Sequence, residues 1–360
     1  MKYLFFVLPI VALVYVFIRM WHILPFSLLG KSIAVTIGVL IFVTMVLGIV
    51  LGFEKMATNF SAVVYEITTS WLFILLYLLM IFLLMDILRC CHILPKDFLF
   101  NSIKGSLIVF TIIIALFVYG NVHYHHKKAV RLNLTTDKQI EKPLKIILIS
   151  DLHLGYHNQI NSFAKWVDMI NKEQADLILI AGDIIDRSVK PLFEQKVYNE
   201  FQRLNAPIYA CFGNHEYFAG KQDALAFYEK AGINVLQDTS VVYNNIVIAG
   251  RDDRINTKRK ELKQILKDTD KNKYHILLDH QPYNLEQAQK EGVDFQFSGH
   301  THYGQVFPIN LITDAIYEKA YGYYKKGQTD YYISSGLGIW GGKFRIGTKS
   351  EYVVLTLRQK

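Results

Sequence analysis

Long uncharged stretches separated by short polar ones dominate the first 125 positions, and this pattern predicts membrane-spanning helices. The clearest stretch, residues 33–53, holds 21 uncharged residues, close to the ~20 apolar residues that a helix needs to cross a bilayer. Similar stretches cover about 3–18, 67–85 and 105–122. We therefore predict four spans within an all-α transmembrane domain, residues 1–128. Aromatic rings, which favour the membrane interface, lie near the ends of these stretches at Tyr3, Trp21, Tyr65, Trp71 and Tyr124.

A cleaved signal peptide and a large soluble core both fit this pattern less well. A signal peptide beginning at Lys2 would need a small-x-small cleavage site, which the chain lacks, and further apolar stretches follow it. A large soluble core would not produce four charge-poor stretches of this length within about 120 residues. The pattern therefore indicates a multi-pass membrane protein.

Charged residues around the spans leave the side of the membrane open. Five Lys or Arg side chains lie in the first and third loops, and five lie on the opposite side. The cluster Lys127, Lys128 and Arg131 closely follows the last span, which slightly favours a cytoplasmic position for the rest of the chain.

Charge also separates the chain into two parts. Residues 1–128 hold nine Lys or Arg and four Asp or Glu, whereas residues 129–360 hold 30 and 27. The second part resembles a soluble domain of low net charge, so nucleic-acid binding is not predicted. Cys90, Cys91 and Cys211 form no CxxC pair, which excludes a disulfide framework and a thiolate zinc site. Cys90 and Cys91 are either acylated or packed as thiols at the membrane interface.

After a polar stretch that we interpret as a linker, residues 129–143, short apolar runs alternate with helix-like segments. Runs rich in Ile, Val and Leu predict buried strands at 144–150, 177–181, 208–212, 246–250, 275–278 and 295–298. Helices are predicted at 159–172, 191–204, 221–231, 258–267 and 284–291, and two further strands at 331–334 and 352–357. Strands and helices in alternation predict an α/β domain, here residues 144–360.

Polar side chains of the types that bind metals directly follow five of these strands. The fragments are Asp151-x-His153, Gly182-Asp183-x-x-Asp186-Arg187, Gly213-Asn214-His215-Glu216, Asp279-His280 and Gly299-His300-x-His302. Ligands of an open α/β sheet collect beyond the carboxyl ends of its strands, so we expect these fragments to converge. One fragment alone would carry little weight, but five in this order are hard to attribute to chance.

This combination of carboxylates and imidazoles suits a pair of divalent ions. A carboxylate that bridges two cations lowers their repulsion, and neutral imidazoles complete the coordination without adding charge. Two ions ~3.5–4 Å apart can share a hydroxide that attacks phosphorus in line. Mn, Fe and Zn all accept oxygen and nitrogen ligands of this kind.

Together, the fragments resemble the calcineurin-like metallophosphoesterase superfamily over the whole of residues 144–360. The resemblance implies a four-layer α/β/β/α sandwich. It implies that one metal is held by Asp151, His153, Asp183 and His302, and the other by Asp183, Asn214, His280 and His300. It further implies a general acid, a carboxylate that orients this acid, and a phosphate-contacting arginine, which are His215, Asp186 and Arg187. Glu216 would support the ligands from behind.

Two further segments are similar to the membrane-associated bacterial branch of that superfamily, some members of which hydrolyse UDP-diacylglucosamine or other lipid-linked phosphoesters. These segments are Gly250 to Asp253 and Gly336 to Glu351. The charged residues Arg251, Asp252 and Asp253 then either line a substrate groove or form a solvated face. The chain departs from the branch at Tyr303, where a second glycine is common; this ring either stacks on a substrate or lies on the surface.

The sequence therefore predicts a membrane-anchored hydrolase that uses two divalent metal ions to cleave a lipid-linked or membrane-proximal phosphoester. A tethered phosphodiesterase of soluble nucleotides is the alternative enzyme, and a transporter or sensor with a regulatory metal domain is the alternative from another class. The latter is disfavoured because transport paths need polar groups inside the membrane, whereas Asp86 and Lys104 lie near the span ends. The predicted partners are the bilayer and the phosphoester, and the oligomeric state stays open.

Overall fold

The computed structural model describes residues 4–360, with side chains described from residue 8 onward, as two compact units. The first contains the residues up to Asn121 and Gly341–Lys343, and the second contains Val122–Trp340 and Phe344–Lys360. The division thus falls before the predicted boundary at residue 128. The physical reason is Tyr124, expected at a membrane interface, which is buried in the core of the second unit and donates a hydrogen bond to Asn158 at 2.6 Å.

The first unit is helical. Its helices are α1 (Leu4–Ile23), α2 (Leu28–Leu51), α3 (Thr58–Cys90) and α4 (Ile103–His125). Among the described residues, three helices are long and apolar enough to cross a membrane, namely α2, α3 and α4. Three of the four predicted spans are thus confirmed as candidates; the first, residues 3–18, lies partly outside the residues whose side chains are described, and the described part of α1 gives a shorter apolar helix, Leu8–Ile23. The features expected at Lys2 and Tyr3 lie outside the described residues.

A charged pair explains why α3 continues past the predicted end of its span at residue 85. Asp86 forms an ion pair with Arg19 and accepts a hydrogen bond from the Tyr15 hydroxyl at 2.6 Å. A paired charge is tolerated in apolar surroundings where a lone one is not. The helix therefore carries Asp86 without interruption and ends at Cys90.

The second unit contains two six-stranded sheets, ordered β1-β12-β2-β3-β4-β5 and β10-β11-β9-β8-β7-β6. Strands β2, β3 and β4 are parallel neighbours, as are β7, β8 and β9. The strands are β1 (Lys128–Thr136), β2 (Leu144–Ile149), β3 (Leu177–Ala181), β4 (Ile208–Cys211), β5 (Asn234–Val235), β6 (Thr239–Tyr243), β7 (Ile246–Gly250), β8 (Tyr274–Leu278), β9 (Phe295–Ser298), β10 (Gly322–Lys326), β11 (Thr329–Ile333) and β12 (Glu351–Gln359).

Side chains along each strand point alternately to the two faces of the sheet, and each face packs against a different layer. In β2, Ile146 and Leu148 lie in a core that also contains Leu278 of β8, so this core is sandwiched between the sheets. Their neighbours Ile147 and Ile149 face the opposite way, into a core shared with α5, α7 and α9. A third core packs α10 and α11 on the outer face of the second sheet. The four-layer α/β/β/α arrangement is confirmed.

The helices of the second unit are mostly shorter than predicted. The predicted helix 191–204 is divided in two, because Lys196 adopts a left-handed conformation with φ of 54°. Only one turn of the predicted helix 258–267 forms. The helices are α5 (Ile160–Asn171), α6 (Lys190–Glu194), α7 (Tyr198–Phe201), α8 (Asn214–Phe218), α9 (Lys221–Ala231), α10 (Leu262–Ile265), α11 (Glu286–Lys290) and α12 (Ile309–Ile316).

Most of the first half of the predicted linker is a strand. Residues 128–136 form β1, which pairs in parallel with β12 along its whole length. Every second residue of its middle, Val130, Leu132 and Leu134, packs on the core between the sheets. The polar residues between them face outward, which gave the segment the composition of a linker.

Candidate metal centre

All seven predicted metal ligands lie just after the ends of β2, β3, β4, β8 and β9, six of them outside the α-helices and Asn214 at the start of α8. Five of them adopt left-handed backbone conformations, with φ between 45° and 71°. Such conformations are uncommon outside glycine and persist where the surrounding structure enforces them, often at functional sites. The five residues are Asp151, His153, Asp183, His300 and His302.

The first group of converging side chains is Asp151, His153 and His302, which could hold one ion. Asp151 Oδ1 lies 3.5 Å from His302 Nε2 and 3.9 Å from His153 Nε2. The two imidazole nitrogens lie 3.0 Å apart. Three ligand-type atoms thus lie close together.

The second group contains Asp183, His280 and His300, together with Asn214. His280 Nε2 lies 3.1 Å from Asp183 Oδ2 and 3.2 Å from Asn214 Oδ1, and His300 Nδ1 lies 2.8 Å from the same amide oxygen. The other nitrogen of His280, Nδ1, is 2.7 Å from the Ala181 carbonyl oxygen. A proton on Nδ1 therefore leaves Nε2 as a ligand directed at the group.

Asp183 lies between the two groups. Its Oδ2 is 3.1 Å from His280 Nε2 and 3.7 Å from His153 Nε2, while its Oδ1 accepts a hydrogen bond from the His215 backbone N–H at 2.9 Å. One carboxylate oxygen therefore faces ligands of both groups. This is the position that a bridging carboxylate requires.

The protonation states of His300 and His302 fit divalent ions, whereas burial of His280 is outweighed by the charges of Asp183 and Asp151, which raise its pKa well above its usual value. Burial lowers the pKa of His300 to about 3 and holds that of His302 well below its usual range, and neighbouring histidines add to both effects. Both rings are therefore neutral near pH 7 and keep a lone pair for a cation. His302 Nδ1 is buried without a hydrogen bond among the described residues.

His215 lies at the edge of the first group. Its ring is 4.5 Å from that of His153, and its Nδ1 lies 2.7 Å from the Asp186 carbonyl oxygen and 3.3 Å from Asp186 Oδ1. Burial by itself would lower the pKa of His215, but the charges of Asp183 and Asp186 outweigh it and raise the pKa to about 9. The ring can therefore carry a donatable proton.

Asp186 has a second neighbour that the sequence interpretation did not include. Its Oδ1 is 3.4 Å from His153 Nδ1, so one buried carboxylate faces both a candidate ligand and the candidate acid. Arg187, the next residue, is half-buried. Among the described residues it makes no hydrogen bond or ion pair, which leaves its guanidinium available to an anion.

The Glu216 carboxylate accepts hydrogen bonds from the backbones of two ligand loops. Its Oε2 accepts hydrogen bonds from the backbone N–H groups of Asp183 at 3.0 Å and Gly213 at 2.7 Å, and its Oε1 accepts one from Ile185 at 3.1 Å. Burial and the nearby Asp183 raise the pKa of Glu216, while the N–H donors oppose this rise. The supporting role expected for Glu216 thus has a geometric basis.

We expect Glu216→Gln to lower the free energy of unfolding by about 1–3 kcal/mol, because its amide NH2 would meet a backbone N–H where an acceptor is needed. Thermal unfolding of the detergent-solubilised protein, followed by tryptophan fluorescence, measures the change. Glu229→Gln on the exposed face of α9 is the matched control, with an expected effect within about 0.5 kcal/mol. Equal stability of the two variants would contradict this assignment.

Two glycines allow the loops to approach each other. A Cβ on Gly213 would lie 2.2 Å from Asp183 Oδ1, and a Cβ on Gly299 would lie 2.3 Å from Asp151 Oδ2. Both distances are far below a van der Waals contact. Gly299 is therefore needed for a close approach to a carboxylate.

Arg345 is the buried residue of this region that sequence reasoning missed. Its guanidinium donates hydrogen bonds to the carbonyl oxygens of His302 at 2.7 Å, Gly338 at 3.0 Å and Ser335, and its Nε donates to Ser350 Oγ at 3.2 Å. Complete burial lowers the pKa of Arg345 to about 10. It ties the His302 loop to the segment before β12, and no local motif marks it.

The segment Arg251 to Asp253 neither lines a groove nor forms a solvated face. All three residues are buried. Arg251 donates to Gln287 at 2.8 Å and pairs with Asp279 at 3.4 Å, while both oxygens of Asp253 accept from Gln281. These contacts form a network of buried polar side chains that has a structural role.

Tyr303 lies on the surface side of the His302 loop. Its hydroxyl donates to Asp314 Oδ2 at 3.2 Å, and its ring stacks on Tyr321 with centroids 4.8 Å apart. The ring is thus occupied by contacts within the protein, which favours the surface interpretation.

Comparison with known proteins agrees with this geometry. The family model described as calcineurin-like phosphoesterase matches residues 144–304. A protein of Aquifex aeolicus described as an uncharacterized metallophosphoesterase is 32% identical over 69% of this chain and 98% of its own length. A counterpart in Helicobacter pylori (strain J99) is 32% identical over 62% of each chain, and a transmembrane protein with metallophosphoesterase domain from Danio rerio is 28% identical over 72% of this chain and 64% of its own.

The match therefore extends to about three fifths of the Helicobacter relative's length. The family model includes every residue of the two ligand groups, since these lie between Asp151 and His302. Given the fold, the convergent ligand groups and the relative that is matched over nearly its whole length, the chain belongs to the calcineurin-like metallophosphoesterase family.

Proposed function

We propose that the protein is a membrane-anchored, metal-dependent phosphoesterase that hydrolyses a lipid-linked or membrane-proximal phosphoester or pyrophosphate. The observation that carries the proposal is the position of Asp183 Oδ2, which faces ligand atoms of both groups. One carboxylate between two sets of imidazoles is the arrangement that two neighbouring cations require.

In this proposal Asp183 is shared by two ions, one held by Asp151, His153 and His302 and the other by Asn214, His280 and His300. When bound, the ions supply an activated water for in-line attack and neutralise charge on the phosphoryl oxygens. Mn, Fe and Zn all suit these ligands.

The protein's own residues complete the reaction. His215 donates a proton to the leaving oxygen, and Asp186 holds the His215 ring in place through the contacts at its Nδ1. Arg187 binds a phosphate oxygen through its planar guanidinium. The half-buried position of Arg187 and its lack of partners within residues 4–360 support this role.

A lipid-linked substrate is supported by an apolar surface beside His215. Phe218 is 58% exposed, and its ring lies 5.2 Å from the ring of His215. A large apolar side chain exposed next to the candidate acid gives an alkyl chain a surface to cover. The alternative substrate that the sequence leaves open is a soluble nucleotide.

Two synthetic esters with the same leaving group separate these substrates. For the full chain in detergent with Mn²⁺, we expect Phe218→Ser to lower kcat/KM for dodecyl p-nitrophenyl phosphate by about tenfold, since the lost apolar contact is worth roughly 1.5 kcal/mol. The methyl ester should be unaffected.

Val242→Ser is the matched control, because Val242 is 61% exposed on β6. An equal loss for both esters would show that Phe218 supports the structure of the site rather than binding the alkyl chain. Turnover of soluble nucleotides well above that of the dodecyl ester would favour the second substrate class.

A further inference from the structure

The strongest unexplained surface feature of the second unit is α12, which turns its apolar residues outward. We define the α12 ridge as Phe307, Leu311, Ile312 and Ile316, whose exposed fractions are 42%, 56%, 56% and 57%. Leu311, Ile312 and Ile316 lie on one face of α12, and Phe307 lies two residues before the helix begins. None of the residues of α12 is buried. The ridge is thus a continuous apolar stripe in contact with solvent.

Two contacts hold α12 next to the His302 loop. Asp314, although exposed, accepts the hydrogen bond from the Tyr303 hydroxyl. Gly304 lies so close to the start of α12 that a Cβ there would be 2.3 Å from the Asn310 backbone nitrogen. These contacts fix the position of the helix and leave its apolar residues at the surface.

An apolar stripe of this kind requires a covering surface, because monomeric soluble proteins rarely expose contiguous apolar patches without function. A second copy of the chain is a poor candidate. An eight-residue helix is about 12 Å long, and a ridge of this size offers far less than the ~800 Å² per partner that a stable dimer buries.

The bilayer is the better candidate, because a short connection joins the second unit to a helix that can cross the membrane. Helix α4 is apolar and long enough to cross a membrane, and it ends at His125, with two residues between it and β1. Two residues span at most ~7 Å. Docking on the membrane is then an intramolecular event at high effective concentration, so even a small apolar area is sufficient.

We propose that the α12 ridge inserts into the interfacial region of the bilayer, with the helix axis parallel to the membrane surface. Short amphipathic helices bind membranes in this way, with the apolar face buried ~5–10 Å into the boundary between headgroups and acyl chains. This docking does not rest on the proposed function, since it needs neither bound metal nor turnover.

The docked helix would place the ligand groups next to the membrane surface. Before α12, Tyr303 follows His302 directly, and after it the ring of Tyr317 lies 6.3 Å from that of His300. Both ends of the ridge are therefore joined to candidate metal ligands. A phosphoester at headgroup level would lie within reach of the site without leaving the membrane.

Quenching by brominated lipid tests this docking. Cys90 and Cys91 are exposed and would be replaced by serine, while Cys211 is buried and stays. Leu311→Cys is labelled with the fluorophore NBD, and the full chain is placed one copy per nanodisc. We expect its emission to fall when the lipid is phosphatidylcholine brominated near the headgroup end of the acyl chains.

Val242→Cys, labelled in the same way, is the matched control, because its side chain is 61% exposed in the same unit. It should show no loss of emission with brominated lipid. Equal quenching at both positions, or none at position 311, would overturn the proposal. A blue shift at position 311 that needs several copies per nanodisc would show self-association and overturn it as well. Ile316→Cys repeats the measurement one helical turn further on, should the first variant fold poorly.

Discussion

Replacing Asp183 with asparagine is expected to lower phosphodiester turnover by about 10³-fold or more, since charge stabilisation by the ions that it holds is worth several kcal/mol. Asp183 Oδ2 faces both His153 and His280. The amide removes the negative charge that both cations share, so the metal content should fall at both groups together. Bis-p-nitrophenyl phosphate hydrolysis and elemental analysis of the purified full chain measure the two effects.

The control is Asp176, which lies at the other end of β3 from Asp183. Asp176 precedes β3 directly and accepts a hydrogen bond from the Lys145 backbone N–H at 2.9 Å, at the edge of the sheet away from the ligand loops. Asp176→Asn should retain metal and activity. An Asp183→Asn protein with full metal content and undiminished turnover would show that Asp183 does not bridge.

His215→Gln is expected to lower kcat by about 10²–10⁴-fold for a substrate with a poor leaving group, the usual contribution of a general acid. His215 contacts Asp186 through Nδ1, so its Nε2 is left for the leaving oxygen. Glutamine keeps a polar side chain of similar length but cannot supply a proton at neutral pH. The metal content should stay at the wild-type value, since His215 belongs to neither proposed ligand set.

The leaving group is the internal control for this variant. p-Nitrophenolate departs without protonation, so His215→Gln should reduce turnover of an aryl ester far less than turnover of an alkyl ester. Equal losses for the two esters, with metal retained, would mean that His215 stabilises charge or positions the substrate and does not donate the proton.

The sequence is sufficient to predict that the ligand loops converge, because each loop follows a short run of apolar residues that is typical of a buried strand. Asp151, Asp183 and His300 could be expected to meet for that reason alone, and the structure brings each of them into one of the two ligand groups. The ligand role of Asn214 comes from the family resemblance, and its amide oxygen lies 2.8 Å from His300 Nδ1.

What the sequence did not reveal depends on contacts between distant segments. Arg345 supports the His302 carbonyl from 43 positions away, and an isolated arginine gives no local signal of burial. The burial of Arg251 and Asp253 likewise depends on Asp279 and Gln281, which come from another strand end.

Local pattern misled in β1. The outward polar residues concealed the alternation of Val130, Leu132 and Leu134, which identifies a strand.

The pairing of β1 with β12 has a consequence for how the second unit assembles during synthesis. Thr136 and Glu351 are 215 positions apart, and β12 lies between β1 and β2 in the first sheet. Until β12 has been synthesised, β1 has no strand to pair with. The edge of β2 that will pair with β12 is also unpaired during this time. Long-range pairing of this kind is slow and exposes strand edges to aggregation. A ribosome that stalls before Glu351 would therefore leave a membrane-bound chain with two open strand edges, a form that quality-control proteases can recognise.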